Sequence, residues 1–342
     1  MPCFTSKLKA LGRFLKMRNR SMQALITCEV TDDFLIALKT RGIDYELTGW
    51  GQTGITLSEV ELIEKAKQCE IVIVEIEEIT KSVISALPNL KFIGVTRGTP
   101  VNVDLEYCND RGIPVVHTPG RNADSVADYC LSMMLDLSRK LTSSSRHLSA
   151  EGWMFDGKLP YLEFRGRELG KLNIGLFGFG QIGARVAQRL HSGFGAKVFY
   201  FDPYVDSSVY AKKVQTLEEL FEISDIVSLH APVIPETEYS VNRSLLRRLG
   251  PDGILISSAR AKLIVEEDLY LSLTHGEIAS AAIDVFWSEP IDNENRWVKL
   301  PNVICTPHIA GASLDVVANH CETILNGIDK WLSNKNEKRG LA

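Results

Sequence analysis

The chain has 342 residues, about two domains' worth at the usual scale of roughly 150 residues each, so its core needs no disulfide or metal staple. With 45% apolar residues, 24% charged residues and a net charge of −5, it avoids the corner where chains stay disordered, and it lacks the positive surplus that grips nucleic-acid phosphates. Seven cysteines, an odd number without a C-x-x-C pair or a His/Cys ligand spacing, argue against a disulfide framework and a metal site, and they suit a reducing, cytoplasmic compartment.

The N-terminus departs from this average. Met1 to Cys28 holds no acidic residue, while Lys7, Lys9, Arg13, Lys16, Arg18 and Arg20 supply six positive charges. We read residues 1–21 as a disordered leader, with Met22 as a second possible start. The alternative is a basic amphipathic presequence helix, since Phe4, Leu8, Leu11 and Leu15 recur at helical spacing; it would send the chain to mitochondria. No continuous apolar stretch marks a secretory signal.

From Met22 onward, short apolar strands alternate with amphipathic helices. Strands are expected at 24–27, 45–47, 71–74, 92–95 and 115–117, with a helix over 58–67 among the connections. A second series follows at 173–177, 197–202, 226–229, 254–257, 279–283 and 303–305. Strands separated by helices imply βαβ units, so the fold class is α/β with two doubly wound parallel sheets. Between the series the spacing predicts one long helix from about 122 to 146, then a polar surface connection over 151–170. No apolar run approaches the ~20 residues that span a bilayer, so no membrane partner is expected.

The strongest local signal is Gly178-Phe179-Gly180-Gln181-Ile182-Gly183, because a buried strand leads in and a helical pattern leads out. Gly178 permits the tight turn, Gly180 lets a pyrophosphate approach the backbone, and Gly183 lets the helix lie close to the sheet. The helix N-terminus then offers free N–H groups and a positive dipole end. A second strand ends in Asp202, whose carboxylate accepts hydrogen bonds from ribose hydroxyls and repels a 2′-phosphate. No cation stands at Pro203, Tyr204 or Val205 to welcome one, so NAD is expected rather than NADP.

Chemistry on such a sheet comes from the C-terminal ends of its later strands. Arg260, Glu289 and His308 stand there. A guanidinium holds a carboxylate and polarises a carbonyl, a His exchanges protons near neutral pH, and a carboxylate beside it fixes its tautomer. Singly, each has a plain reading: a solvated Arg, a turn-shaping Glu before Pro290, a structural His.

Around these residues the chain resembles the D-isomer-specific 2-hydroxyacid dehydrogenases, of the D-3-phosphoglycerate dehydrogenase type. The resemblance rests on Val103-Asp104-Leu105-Glu106, Arg111-Gly112-Ile113-Pro114, Gly166-Arg167-Glu168-Leu169-Gly170-Lys171, the glycine fingerprint, Ser257-Ser258-Ala259-Arg260, Ala282-Ile283-Asp284-Val285-Phe286 with Glu289-Pro290, and Thr306-Pro307-His308-Ile309-Ala310-Gly311. It implies hydride transfer between NAD and a D-2-hydroxy or 2-oxo acid. Arg260, Glu289 and His308 would be catalytic. Gln181, Ile182, Asp202, Pro232, Thr237, Ser258, Arg260 and Asp284 would contact the cofactor. It further implies a Rossmann cofactor domain (123–310) inserted into a flavodoxin-like substrate domain (22–122 with 311–335), a small anionic substrate held where they meet, and a homodimer.

One departure bears on the substrate. Where the family has a glycine-rich substrate loop, this chain reads Arg97-Gly98-Thr99-Pro100, so Arg97, Gly98 and Thr99 are expected to bind a second anionic group, against the plainer reading of Arg97 as a salt-bridged surface residue. Ala261 replaces the usual glycine after Arg260, and Lys262 follows as either an anion contact or a solvent-facing charge. A cofactor-binding corepressor or scaffold is the alternative function.

Overall fold

The structure is a computed structural model that describes residues 21–340, and the expected leader lies outside them except for Ser21. The chain divides into two compact units, one running to Arg121 and resuming at Ser313, the other spanning Asn122–Ala312.

The first unit carries β1 (Met22–Ile26), β2 (Ile43–Leu47), β3 (Ile71–Val74), β4 (Phe92–Val95) and β5 (Val115–His117), all parallel in the order β2-β1-β3-β4-β5. Both β3 and β4 are unbroken apolar runs buried throughout, as a strand covered on both faces requires. Side chains alternate across the sheet. Leu25, Val72, Val74, Ile93 and Val95 pack on one face with Leu62, Val83 and Ile84. On the other, Ala24, Ile26, Ile71, Ile73 and Phe92 meet Phe34, Leu38, Ile324 and Ile328. The last two belong to the helix Leu314–Gly340, so the end of the chain completes the core begun by its first strand. The helix Glu59–Ala66 starts on a capping box between Ser58 and Glu61.

The second unit carries β6 (Asn173–Phe177), β7 (Lys197–Phe201), β8 (Lys212–Lys213), β9 (Ile226–Leu229), β10 (Ile254–Ser257), β11 (Ser280–Ile283) and β12 (Val303–Cys305). These are parallel in the order β12-β11-β10-β9-β6-β7-β8. Chain order reverses between β6 and β9, which opens a crevice at their carboxyl ends. Both sheets are therefore the expected α/β class, and the second has the Rossmann order. The two-residue edge strand β8 has no apolar alternation and was not foreseen.

One expected helix is two. Ala123–Arg139 ends at Lys140, which sits in the left-handed region (φ 55°), and Leu141–Glu151 follows. Local hydrogen bonds divert the chain. Asp136 accepts from both the Thr142 N–H and its hydroxyl, and the Ser138 carbonyl accepts the Arg167 N–H instead of continuing the helix.

The segment 151–170 is likewise more than a polar connection. Phe155 and Phe164 pack their rings on His147, while Trp153, Leu159, Tyr161 and Leu162 are all more than two-thirds exposed.

Candidate active site

The glycine loop follows β6. Gly178 has φ 95°, and a Cβ there would collide with the backbone of His230 and Ala231 at the end of β9. A Cβ on Gly183 would run into the Gly178 carbonyl oxygen, so this glycine sets how closely the helix Gln181–Arg189 approaches the turn. Gly180 differs: a Cβ there meets nothing within 4 Å. It is the N-cap of that helix and no side chain caps the first turn, which leaves the Gln181 and Ile182 end open to an anion. An uncapped N-terminus beneath open space fits a pyrophosphate.

Asp202, just past β7, accepts the Phe179 N–H (2.7 Å) with one oxygen and the Tyr204 N–H (2.8 Å) with the other. It thus ties the glycine loop to the end of β7 while its remaining lone pairs stay available to hydroxyls. Beyond β9, the Thr237 hydroxyl donates to the Pro232 carbonyl (2.6 Å) and accepts the Ile234 N–H, closing the 232–237 turn. Ser258 is buried after β10, with its hydroxyl 3.2 Å from the Cys130 sulfur.

The three candidate catalytic residues emerge beyond β10, β11 and β12. Glu289 accepts the Phe286 N–H with Oε1 (2.8 Å) and pairs with His308 Nδ1 through Oε2 (2.8 Å). A carboxylate only accepts, so Nδ1 carries the proton and Nε2 is free for exchange with a substrate oxygen. Partial burial raises the Glu289 carboxyl pKa, but the bonds from His308 and Phe286 and the charges of His308 and Arg260 outweigh it, for a net downward shift. Arg260 thus acts electrostatically on the pair, and its exposed guanidinium has only the Ala259 carbonyl (2.7 Å) as a partner among the described residues. Lys262, by contrast, lies near Glu238 (3.9 Å) on the surface.

Two features were not legible in advance. Trp287 stacks on the buried Trp297 (5.3 Å) and donates to the Ile264 carbonyl, packing the turn that presents Glu289. His308 itself has φ 55°, a left-handed conformation that costs a non-glycine residue about 1–2 kcal/mol and must be imposed by its surroundings. Asp284 lies beneath it with no solvent exposure, its carboxylate accepting from Thr306, Ile309 and Ala310.

The Arg97-Gly98-Thr99 loop belongs to the first unit. The Gly98 carbonyl accepts from His117 Nδ1 (2.9 Å), the Arg97 carbonyl accepts the Thr118 N–H, and buried Asn102 ties the loop's far end to the Glu75 and Glu77 carbonyls. Among the described residues the Arg97 guanidinium has no acidic partner, in contrast to Arg121, which pairs with Glu75 at 2.5 Å. Also among the described residues, no cluster of three His, Cys, Asp or Glu is arranged for a metal ion, and no helix is long and apolar enough to cross a membrane.

Residues 131–310 match the family model for the D-isomer specific 2-hydroxyacid dehydrogenase, NAD binding domain. Among curated relatives, YoaD of Bacillus subtilis (strain 168), named as a 2-hydroxyacid dehydrogenase, is 34% identical over 92% of each chain. A glyoxylate reductase of Korarchaeum cryptofilum is 30% identical over 83% of this chain and 86% of its own. Among solved structures, D-lactate dehydrogenase from Aquifex aeolicus complexed with NAD and lactic acid superposes with a TM-score of 0.69 at 26% identity, covering 92% of this chain and 96% of that one. The chain belongs to the D-isomer-specific 2-hydroxyacid dehydrogenase family, and is an NAD(P)-dependent 2-hydroxyacid oxidoreductase.

Proposed function

We propose that the chain interconverts a D-2-hydroxy acid and its 2-oxo acid with NAD as the hydride carrier. The 2.8 Å pair between Glu289 and His308, under the influence of the Arg260 charge, carries this reading. In the reducing direction, Arg260 holds the substrate carboxylate and polarises its carbonyl. His308 Nε2 gives a proton to the oxygen as a hydride reaches the carbonyl carbon, and in the oxidising direction it takes that proton back. Glu289 holds the Nδ1 proton and stabilises the ring when it is charged. Bound NAD would supply or accept the hydride. The open N-terminus at Gly180, Gln181 and Ile182 would hold its pyrophosphate, with Pro232, Thr237, Ser258 and Asp284 at the other end of the crevice.

Asp202 supports NAD over NADP, because its carboxylate welcomes ribose hydroxyls and repels a 2′-phosphate. Arg97, whose guanidinium has no acidic partner among the described residues, supports with Gly98 and Thr99 a substrate bearing a second anionic group. The band of exposed apolar side chains at Leu141, Leu148, Trp153, Leu159, Tyr161 and Leu162 supports a homodimer through the second unit, which light scattering would reveal; a monomer would refute it. Six described cysteines are free thiols, five of them buried, which supports the cytoplasm. Imaging of a C-terminally tagged chain in mitochondria would overturn that. No feature of the site favours a corepressor or scaffold.

The test is a spectrophotometric panel of 2-oxo acids, including glyoxylate, hydroxypyruvate and phosphorylated acids, with NADH and NADPH. Oxidation of NADH by at least one acid is expected, together with its loss in His308→Ala and Arg260→Ala while NADH still binds. Normal turnover in either variant would refute the assigned roles.

A further inference from the structure

His308 occupies a backbone conformation that its own side chain disfavours, so something outside it must hold the turn. The turn Thr306-Pro307-His308-Ile309-Ala310 wraps around one carboxylate. Asp284 Oδ1 accepts the Thr306 hydroxyl (2.6 Å) and the Ile309 N–H (2.8 Å), and Oδ2 accepts the Ala310 N–H (2.8 Å). Asp284 is in turn fixed to β10, because its own N–H donates to the Ser257 carbonyl. A further residue joins from a distant part of the chain. The Tyr129 hydroxyl, on the helix Ala123–Arg139, lies 2.6 Å from Thr306 Oγ1.

The direction of this relay follows from donor arithmetic. Thr306 has one hydroxyl proton and gives it to a carboxylate that only accepts, so the hydrogen between Tyr129 and Thr306 must come from Tyr129. Burial pushes the Tyr129 phenol upward, so that proton stays in place throughout the working pH range. The result is an ordered chain, from Tyr129 to Thr306 to Asp284, ending on the two backbone N–H groups that follow His308.

We propose that Tyr129, acting through Thr306 and Asp284, is a positioning residue that holds His308 in its left-handed conformation and so aims its ring from Glu289 toward the substrate. The proposal rests on the role assigned to His308 above. Tyr129 touches no reacting atom; it locks the hydroxyl rotor of Thr306 and anchors the turn to a helix that packs against the sheet. Neighbouring members of that helix, Val126, Ala127 and Cys130, are buried in the same core as β6 and β10, so the anchor is rigid.

The test uses the full-length protein and its Tyr129→Phe, Thr306→Val and Thr306→Ser variants, each checked for folding by its thermal transition. Amide hydrogen exchange at Ile309 and Ala310 is measured without substrate, and kcat and KM are measured separately. Loss of one hydrogen-bond partner corresponds to about three- to tenfold. Faster exchange at both amides and a fall in kcat by about that factor, with KM for NADH unchanged, are expected in Tyr129→Phe and Thr306→Val. Thr306→Ser keeps the relay hydroxyl and should restore both. Unchanged exchange, or faster exchange with normal kcat, would overturn the positioning role. Since exchange is read without turnover, its failure is distinct from a failure of the catalytic reading, which His308→Ala tests separately.

Discussion

The sheet ends in the two units treat their candidate site residues in opposite ways. In the second unit, Glu289, His308 and Asp284 are bound to one another or to backbone by short hydrogen bonds, and even an unfavourable backbone angle is held in place. In the first, the backbone of the Arg97 loop is fixed by His117, Thr118 and Asn102, but among the described residues its guanidinium has no acidic partner. Proton transfer needs atoms placed to within a few tenths of an ångström, so its groups are preorganised. The role proposed for the Arg97 loop, recognition of one acid among many, needs a fixed platform and a free charge, so that a new ligand gains the whole ion pair.

Removing the negative charge from the preorganised end should break this contrast most severely. Glu289→Gln keeps the shape and an acceptor for Nδ1 but cannot stabilise a charged ring. Its kcat should fall by about a hundredfold, with KM for the acid little changed. The pH dependence follows from the sign of the Glu289 shift. Its folded pKa lies below the ordinary carboxylate value, so its contribution is present above that value and is lost only as pH falls through the lower folded one. The wild-type pH profile should therefore show no acid limb from Glu289 at the usual carboxylate pKa. A limb there that vanishes in Glu289→Gln would contradict the geometry.

The next effect is on stability. His230, under the glycine loop, has both ring nitrogens buried without a hydrogen-bond partner among the described residues, and burial lowers its pKa to about 4. Between the ordinary value of about 6.5 and that value, the unfolded chain binds a proton that the folded one refuses, so stability falls as pH falls. The loss should reach about 3 kcal/mol by pH 4. In the first unit, burial also lowers the His320 pKa, but its ring is bonded to Arg121 and to the Glu29 carbonyl. Hydrogen exchange of β6 and β9 amides across pH 4 to 7 reads the second unit alone. His230→Leu should flatten their pH dependence and leave β1 and β3 unchanged.

How much of this was legible in the sequence follows from the range of the forces involved. Strand cores such as 71–74 and 254–256 were readable because burial on both faces demands an unbroken apolar run. The glycine fingerprint was readable because steric limits fix the residue type at Gly178 and Gly183. The motif order placed Arg260, Glu289 and His308 at their strand ends. The break at Lys140 was not readable, because it depends on the Ser138 carbonyl accepting the N–H of Arg167, far along the chain. Nor was Tyr129, whose partner Thr306 is 177 positions away and which looks like any half-buried helix residue from its own neighbourhood. Local rules name residue types, and tertiary hydrogen bonds between distant segments decide which of them act together.

The smallest effect tests the open end of the comparison. Replacing Arg97 with Ala removes a charge with no acidic partner among the described residues, so the fold should not notice: nothing is left buried and unpaired, and thermal stability should stay within about 0.5 kcal/mol. Affinity should notice only when the ligand carries a second anion. For an acid with a second carboxylate or a phosphate, KM should rise about tenfold, the value of one exposed charge-assisted contact, while for glyoxylate, whose only carboxylate is assigned to Arg260, it should not move. Arg97→Lys separates charge from shape, because an ammonium restores the attraction but not a bidentate grip, and its KM should fall between the two. If the KM for every active acid were the same in Arg97→Ala as in the parent, the loop would be a scaffold without a role in selection, and the difference between the two sheet ends would reduce to packing.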